Sequence, residues 1–337
     1  MSKSFVHLHA HTEYSMLDGA AKINDYLNKV KELNQPAAAI TDHGNLYGAL
    51  EFVRQAEILD IKPIIGYEAY VTPGSRFDRP ERDKNKRYHL TLLAENNTGY
   101  QNLVELVSKA YLEGFYYKPR VDYDLLKEHA EGIIALSGCL GGEVAQHLAP
   151  DGSREEGNTA NEKSYEKALE KAKNYQNIFG QENFFIELHN HGINQQIQIL
   201  DDLVNISKEI DAPLVAANDS HYVSKNDSSA HDALLCVQTN ATMEDDDRFK
   251  FDGEEYYVKS SEEMRQLFPD DSFPNACDNT LKIADRINYE FSFDKDYLPD
   301  YPIEDSSLSV EEFLRKKVFI GAEQKSVSYT HLTLPTK

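Results

Sequence analysis

The feature that most constrains this chain is the alternation of short β-type runs with amphipathic helical segments over most of its length. SFVHLHAHT, AAAITDHG, KPIIGYEAYV, RYHLTLLA, GIIALSGC, NFFIELHNHG and PLVAANDSHY read as strands running into loops. Between them lie AAKINDYLNKVKEL, GALEFVRQAEILD, NTGYQNLVELVSKAYLEG, SYEKALEKAKNYQNIFG and NQQIQILDDLVNISKEI, whose apolar residues recur at helical spacing. Such alternation predicts parallel strands joined by crossover helices. Seven such runs before residue 290 predict an α/β fold, a closed or distorted (β/α)7 TIM-like barrel, with an open sheet as the alternative because periodicity does not decide closure.

Metal-type side chains gather where these runs end. His9 and His11 stand at i and i+2 in the first run, on one face of a strand, and His7 shares their parity. One His-x-His pair says little, since strand histidines often sit satisfied in cores. The pattern recurs, however. Asp18 follows in SMLDG, Asp42-His43-Gly44 ends the second run, and Glu68 ends the third. His89 begins the fourth, Cys139 ends the fifth, and Asp219-Ser220-His221 ends the last. In (β/α) barrels the active site lies at the C-terminal ends of the strands, so these residues are expected to share one cleft. Imidazole, carboxylate and a single thiolate suit zinc, or a mixed zinc, manganese or iron site. A buried free cysteine is usually a small hydrophobe. The position of Cys139 after a strand, among glycines, favours a ligand.

The 337 residues are 40% hydrophobic and 27% charged, with no apolar run long enough to span a bilayer. MSKSFVHLHAHTEYS has no apolar stretch of the secretory kind. Three dispersed cysteines (Cys139, Cys236 and Cys277) argue against a disulfide framework and suit a reducing cytoplasm. A formal charge of -22 argues against a conventional basic nucleic-acid surface, although bound metals would reverse the local field. The segment Arg76 to Arg87 is locally basic, with six Lys/Arg against three Asp/Glu, and reads as a solvated hairpin tip or as a phosphate contact. There is no GxxxxGK[ST] loop and no GxGxxG, so nucleotide binding of those kinds is unsupported.

HLHAHTEYSMLDGAAK, ITDHGNLYGALEF, IKPIIGYEAYV, YHLTLLAENNTGYQNLVELVSKAYLEGFYYKPRVD, EGIIALSGCLGGEV and NDSHYV closely resemble the PHP (polymerase and histidinol phosphatase) domain of bacterial DNA polymerase III alpha subunits. The resemblance covers roughly residues 4 to 290, and TGYQNL with AYLEGFYYKPR is of the polymerase type rather than that of free-standing phosphatases. It implies a barrel of the PHP type holding three divalent metals. His9, His11, Glu68 and Asp219 would surround the first, and Glu68 would bridge to a second held by His89 and Cys139. Asp18, His43 and His221 would bind the third. His9, His11, Glu68 and Asp219 would also position the water that attacks. The implied partners are a DNA primer 3′ end, the remainder of the polymerase chain and replisome subunits: the sliding clamp, the clamp loader and a proofreading subunit. No membrane partner is expected.

Other candidates are weaker. Glu187, His189 and His191 share a face at another strand end, as support for ligands, contacts to substrate or core residues. His129, His147 and His231 fall on helical segments, and Glu244 to Asp247 reads as a solvated acidic loop. Residues 1–288 are expected to form the PHP domain and 289–325 a linker plus the start of a truncated polymerase core. There Ser309 and Glu312 form a capping box ahead of a helix. Residues 326–337 (SVSYTHLTLPTK) resemble a translated adaptor, so His331 carries no functional weight. Three activities remain open: a metal-dependent 3′–5′ exonuclease within a DNA-directed DNA polymerase, a free-standing phosphoesterase on a small monoester, and a non-catalytic scaffold that docks a proofreading subunit.

Overall fold

The computed structural model describes residues 4–16, 18–81, 84–149, 163–291, 302–303 and 307–325. The chain divides into two compact units, Met1–Phe291 and Ser292–Lys337. In chain order the first unit runs α1 (Ile23–Glu32), β1 (Ala37–Ile40), α2 (Ala49–Ile58), β2 (Lys62–Val71), β3 (Tyr88–Ala94), α3 (Asn97–Leu112) and β4 (Arg120–Val121). It continues through α4 (Tyr123–Glu128), β5 (Ile133–Leu136), α5 (Glu143–Leu148), α6 (Tyr165–Phe179), β6 (Phe184–Leu188), α7 (Asn194–Ile210), β7 (Leu214–Ala216), α8 (Ser228–Thr239), α9 (Ser261–Leu267) and α10 (Ala276–Arg286). The five helices predicted in this unit form as α1, α2, α3, α6 and α7, and α4, α5, α8, α9 and α10 are additional to them. In α1, Ile23, Tyr26, Leu27 and Val30 make one buried stripe. Side chains of Asn96 and Ser164 cap α3 and α6. No described helix is long and apolar enough to cross a membrane.

The sheet runs β1-β2-β3-β5-β6-β7, with β4 attached to β2, so the α/β barrel class is as expected. The all-parallel expectation needs correction. β3 is antiparallel to both β2 and β5, while β1–β2, β2–β4, β5–β6 and β6–β7 are parallel. The physical reason lies in the connection. Residues 72–87 contain no α-helix among their described residues, so the chain returns beside β2, pairing Val71 with Tyr88 and Gly66 with Leu93.

The first run is not a regular strand. It is an extended segment laid between β1 and the end of β7. Ala39 N donates to His7 O (3.1 Å), Thr41 N to Ala10 O (2.9 Å), His11 N to Ser220 O (2.7 Å), and Ser220 N to His9 O (3.3 Å). These bonds join the two edges of the curled sheet. Val6 and Leu8 pack with Ala37, Ala39, Ile64, Leu93, Ile134, Leu136, Phe185 and Val215, an interior cluster drawing alternate residues from the strands. Ala10 instead packs outward with α1 and α2 residues. The alternation therefore slips by one between Leu8 and His9, as at a bulge. This slip explains why His7, of the same parity as His9 and His11, is held elsewhere, by the carbonyl of Lys259 at 2.9 Å.

The loop Arg76 to Arg87 is tied inward. Arg76 pairs with Glu113 (2.7 Å) and Asp122 (3.1 Å). Buried Arg120 donates to the carbonyls of Gly114, Arg76 and Asp78 and to Asn85 Oδ1. Cations of this loop so engaged favour a structural hairpin over a phosphate contact. Arg82 and Asp83 lie outside the described residues.

In the second unit α11 (Val310–Lys325) opens with Ser309 accepting from Glu312 N while Ser309 N donates to Glu312 Oε2 (2.9 Å), the predicted capping box. Most of the expected linker and all of 326–337 lie outside the described residues.

Candidate metal centre

Strand alternation places the site. Along each interior row an apolar residue at one end of the barrel is followed, four residues on, by a polar side chain at the other: Ile64–Gly66–Glu68, Phe185–Glu187–His189 and Val215–Ala217–Asp219. In antiparallel β3 the same row runs backward, Leu93–Thr91–His89. A histidine at the start of that strand thus reaches the mouth formed by the ends of its neighbours.

Buried Glu68 is the focus. Its Oε1 lies 3.0 Å from His89 Nδ1, 3.3 Å from His9 Nε2 and 3.9 Å from Cys139 Sγ. Its Oε2 lies 2.6 Å from His43 Nδ1 and 3.7 Å from His11 Nε2. Asp219 Oδ1 faces His9 Nε2 (3.4 Å), His11 Nε2 (3.2 Å) and His221 Nδ1 (3.5 Å). Asp18 Oδ2 meets His43 Nε2 at 3.1 Å. All nine residues singled out in the sequence therefore lie in one connected cluster. Its candidate ligand atoms group as His9–His11–Asp219, His43–Glu68–His89 and His11–His43–His221, each set lying within 4.8 Å.

Three imidazoles are oriented by acceptors behind them. His9 Nδ1 donates to Glu187 Oε1 (2.7 Å), His11 Nδ1 to Ser15 Oγ (2.8 Å), and His221 Nδ1 to the carbonyl of Asp219 (2.8 Å). Each bond leaves Nε2 as the lone-pair nitrogen, the tautomer a metal needs. The Nε2 atoms of His9 and His11 converge to 3.2 Å. Ser15 Oγ donates in turn to buried Asp42 (2.7 Å), which also accepts from Thr12 N and Thr12 Oγ1.

The electrostatics call for positive charge. Burial would lower the pKa of His43, but Asp18 and Glu68 on either side raise it to about 10. Burial also opposes a charged His9, yet Asp219, Glu187 and Glu68 lift it well above its usual range. Asp18 is held at about 2 against its burial, chiefly by His43. Burial, with Glu68 nearby, pushes the Cys139 thiol up. His221, by contrast, is held neutral at about 3 by burial and by the neighbouring His11. Its Nε2 and Asp18 Oδ1 are buried with no hydrogen-bond partner among the described residues. Convergent lone pairs, unsatisfied acceptors and pooled negative charge fit one or more divalent cations.

Glu187 takes a larger part than its sequence context suggested. It accepts from His9, His189 Nε2 (2.9 Å), Gly138 N (2.9 Å) and Thr91 Oγ1 (3.2 Å), and with His9 and His189 it makes a fourth group of possible ligands. Ser15, Thr91 and Asp42 were not singled out as supports. The Asp-His-Gly motif and the interior parity of Thr91 were the available signals. His191 bonds the carbonyl of Asn218 (2.8 Å), bracing the residue before Asp219. Buried His231 holds the carbonyl of Asp18 at 2.7 Å. His129 contacts Lys109 and Asn102, away from the cluster, and Glu244 to Asp247 are exposed.

Comparison with known proteins accords with this picture. The chain is 44% identical over 319 residues to DNA polymerase III subunit alpha of Treponema pallidum, which covers 94% of this chain and 26% of that protein. It is likewise 44% identical over 333 residues to the subunit of the same name from Thermus aquaticus, again 94% of this chain and 26% of the relative. The chain thus spans about a quarter of the length of these curated relatives. Among solved structures it is similar, at a TM-score of 0.40 and 13% identity, to a two-domain protein of Bacteroides vulgatus described as containing a predicted PHP-like metal-dependent phosphoesterase. That match covers 84% of this chain and 69% of the other. At that distance the likeness says nothing of the chemistry. The model of the PHP domain matches residues 7–191, more than half of the chain and most of the cluster's residues, and the chain belongs to the PHP domain family.

Proposed function

We propose that this chain is the PHP portion of a bacterial replicative DNA polymerase III alpha subunit, and that its barrel mouth is a metal-dependent phosphodiesterase acting as a 3′–5′ exonuclease. The observation that carries the reading is the convergence around Glu68 and Asp219 of side chains drawn from loops and strands more than 200 residues apart, from His9 to His221. His9, His11, Asp18, His43, Glu68, His89, Cys139, Asp219 and His221 would hold the metals, zinc with manganese or iron as alternatives. Glu68, reached by imidazoles from both sides, is suited to bridge two of them. Bound divalent metals would supply an activated water and stabilise the leaving oxygen of an in-line displacement.

The chain's own residues do the rest. Glu187, Ser15 and the Asp219 carbonyl hold the imidazole tautomers, and burial keeps competing water from the carboxylates. The 44% identity to polymerase III alpha sequences favours DNA over a small monoester. It also makes the rest of that polymerase chain and its replisome subunits the expected partners, in the cytoplasm.

The test is elemental analysis of the purified chain together with digestion of a 3′-labelled primer, with and without a chelator. Bound divalent metal and chelator-sensitive release of 3′ nucleotides are expected. Efficient hydrolysis of a small phosphate monoester with none of the primer would favour the free-standing phosphoesterase. Inactivity with every metal, with a large loss of melting temperature on chelation, would favour the scaffold.

A further inference from the structure

The barrel mouth also carries aromatic rings that face solvent. Tyr47, Phe115 and Tyr117 are each more than half exposed and Tyr111 more than a third. The Tyr47 and Tyr111 ring centroids are 6.5 Å apart, and Tyr111 stacks with Phe115 at 6.0 Å. Tyr117 sits at the tip of a turn closed by Tyr116 N donating to Lys118 O (3.1 Å), with φ at +62°. That region is disfavoured for a bulky side chain. The fold therefore holds a large ring out in water at a strained position, and such positions cluster at functional sites.

The rings border the metal centre. The Lys118 ammonium lies 5.1 Å from the centroid of the Tyr70 ring, and Tyr70 stacks against His43 at 6.0 Å. Gly44, next to His43, has φ at +65°, and a Cβ there would come within 2.9 Å of Pro119, so the His43 loop packs directly on the Tyr117 turn. Tyr47 stands on that same loop. Its amide donates to Asn45 Oδ1 (3.0 Å), and the Asn45 side chain donates to the His43 carbonyl (3.0 Å).

A formal charge of -22 argues against holding a duplex by a broad basic face. Single strands are bound without sequence preference by stacking of bases on π-faces together with cationic contacts to the backbone, and here the rings outnumber the cation beside them, Lys118. We propose that this rim binds the single-stranded end of a nucleic acid, with bases stacked on Tyr47, Tyr111, Phe115 and Tyr117 and Lys118 against the backbone. The frayed strand then leads past Tyr70 toward His43. This inference rests on the phosphodiesterase reading above for the identity of the strand, and it names the form in which the substrate is taken: unpaired.

The test is fluorescence anisotropy of a labelled oligothymidylate in chelator, so that nothing is cut. The parent is expected to bind the single strand more tightly than a blunt duplex of equal length. Phe115→Ala and Tyr117→Ala should each weaken single-strand binding by about 10-fold. Tyr117→Phe should keep it, and so should Ile58→Ala, a control at an exposed apolar residue of α2. Melting curves show whether each variant is folded, and the two alanine variants stand as independent readouts.

A parent that fails to bind the strand overturns the inference. So do alanine variants that bind as the parent does, which would mark the rim as a protein-docking surface. Single-strand binding through these rings with no hydrolysis under any metal would sink the phosphodiesterase reading and leave this one standing. Primer hydrolysis without ring-dependent binding would do the reverse.

Discussion

Asp219 has φ at +45°, a left-handed position that asparagine tolerates as readily as aspartate. Asp219→Asn therefore removes one anionic donor at nearly constant volume and without backbone cost. Exonuclease activity should fall by orders of magnitude while the melting temperature drops only slightly; a drop of tens of degrees would instead mark the residue as structural. Glu187→Gln tests support rather than ligation. It weakens the acceptor behind His9 and should reduce metal affinity roughly 10–100-fold in a competition titration with a chromophoric chelator.

The histidine shifts give a pH sign. His43, raised to about 10 by Asp18 and Glu68 against burial, stabilises the metal-free fold below its unfolded value near 6.5. That contribution is lost as pH rises through about 10. The chelated protein should accordingly melt lower at pH 10 than at pH 7. Metal displaces the same protons, so loading should tighten over that range and release protons, measurable by calorimetry in buffers of different ionisation enthalpy. The nine clustered residues were legible in the sequence because each is a donor type in or just after a strand-like run, and because those runs resemble the PHP family. Ser15, Thr91 and Asp42 were not. A hydroxyl or carboxylate becomes a support only through its neighbour in space, and the Asp-His-Gly motif and the parity of Thr91, though visible, do not say which neighbour that is.

Among the elements, the five long helices α1, α2, α3, α6 and α7 and most of the strand runs could be read from spacing, since a buried stripe must repeat at 3.6 residues and a buried row at two. The short helices α4, α5 and α9 and strand β4 could not. Nor could strand direction. The reversal of β3 follows from the absence of a helix between KPIIGYEAYV and RYHLTLLA, a gap visible in the sequence whose weight is felt only when the crossover has to be built. The slip between Leu8 and His9 was hidden for a different reason. Histidines occupy both parities, so the pattern looks regular while the backbone is not. The connection before β3 depends on Arg120, which satisfies three carbonyls and Asn85. Arg120→Met strands those acceptors in a buried place and should cost on the order of 3 kcal/mol or more in urea unfolding. A loss under 0.5 kcal/mol would show that the loop holds without it.

On the scale of the molecule, the ring is joined by the extended segment that lies between β1 and Ser220, with Ala10 bridged to a residue 210 positions later. A ribosome delivers those two partners far apart in time. Until Ser220 has emerged, the nascent chain can pair β1 with β2 and β2 with β3 but has no second edge for His9 and His11 to lie against, and Asp219 and His221 are still missing. Loop-closure entropy makes such a distant pairing a late event even for the finished chain. The barrel should therefore acquire its metals only after most of it has been synthesised. An incomplete or stalled product would be a metal-free sheet with an open edge, the kind of species that chaperones and proteases engage first.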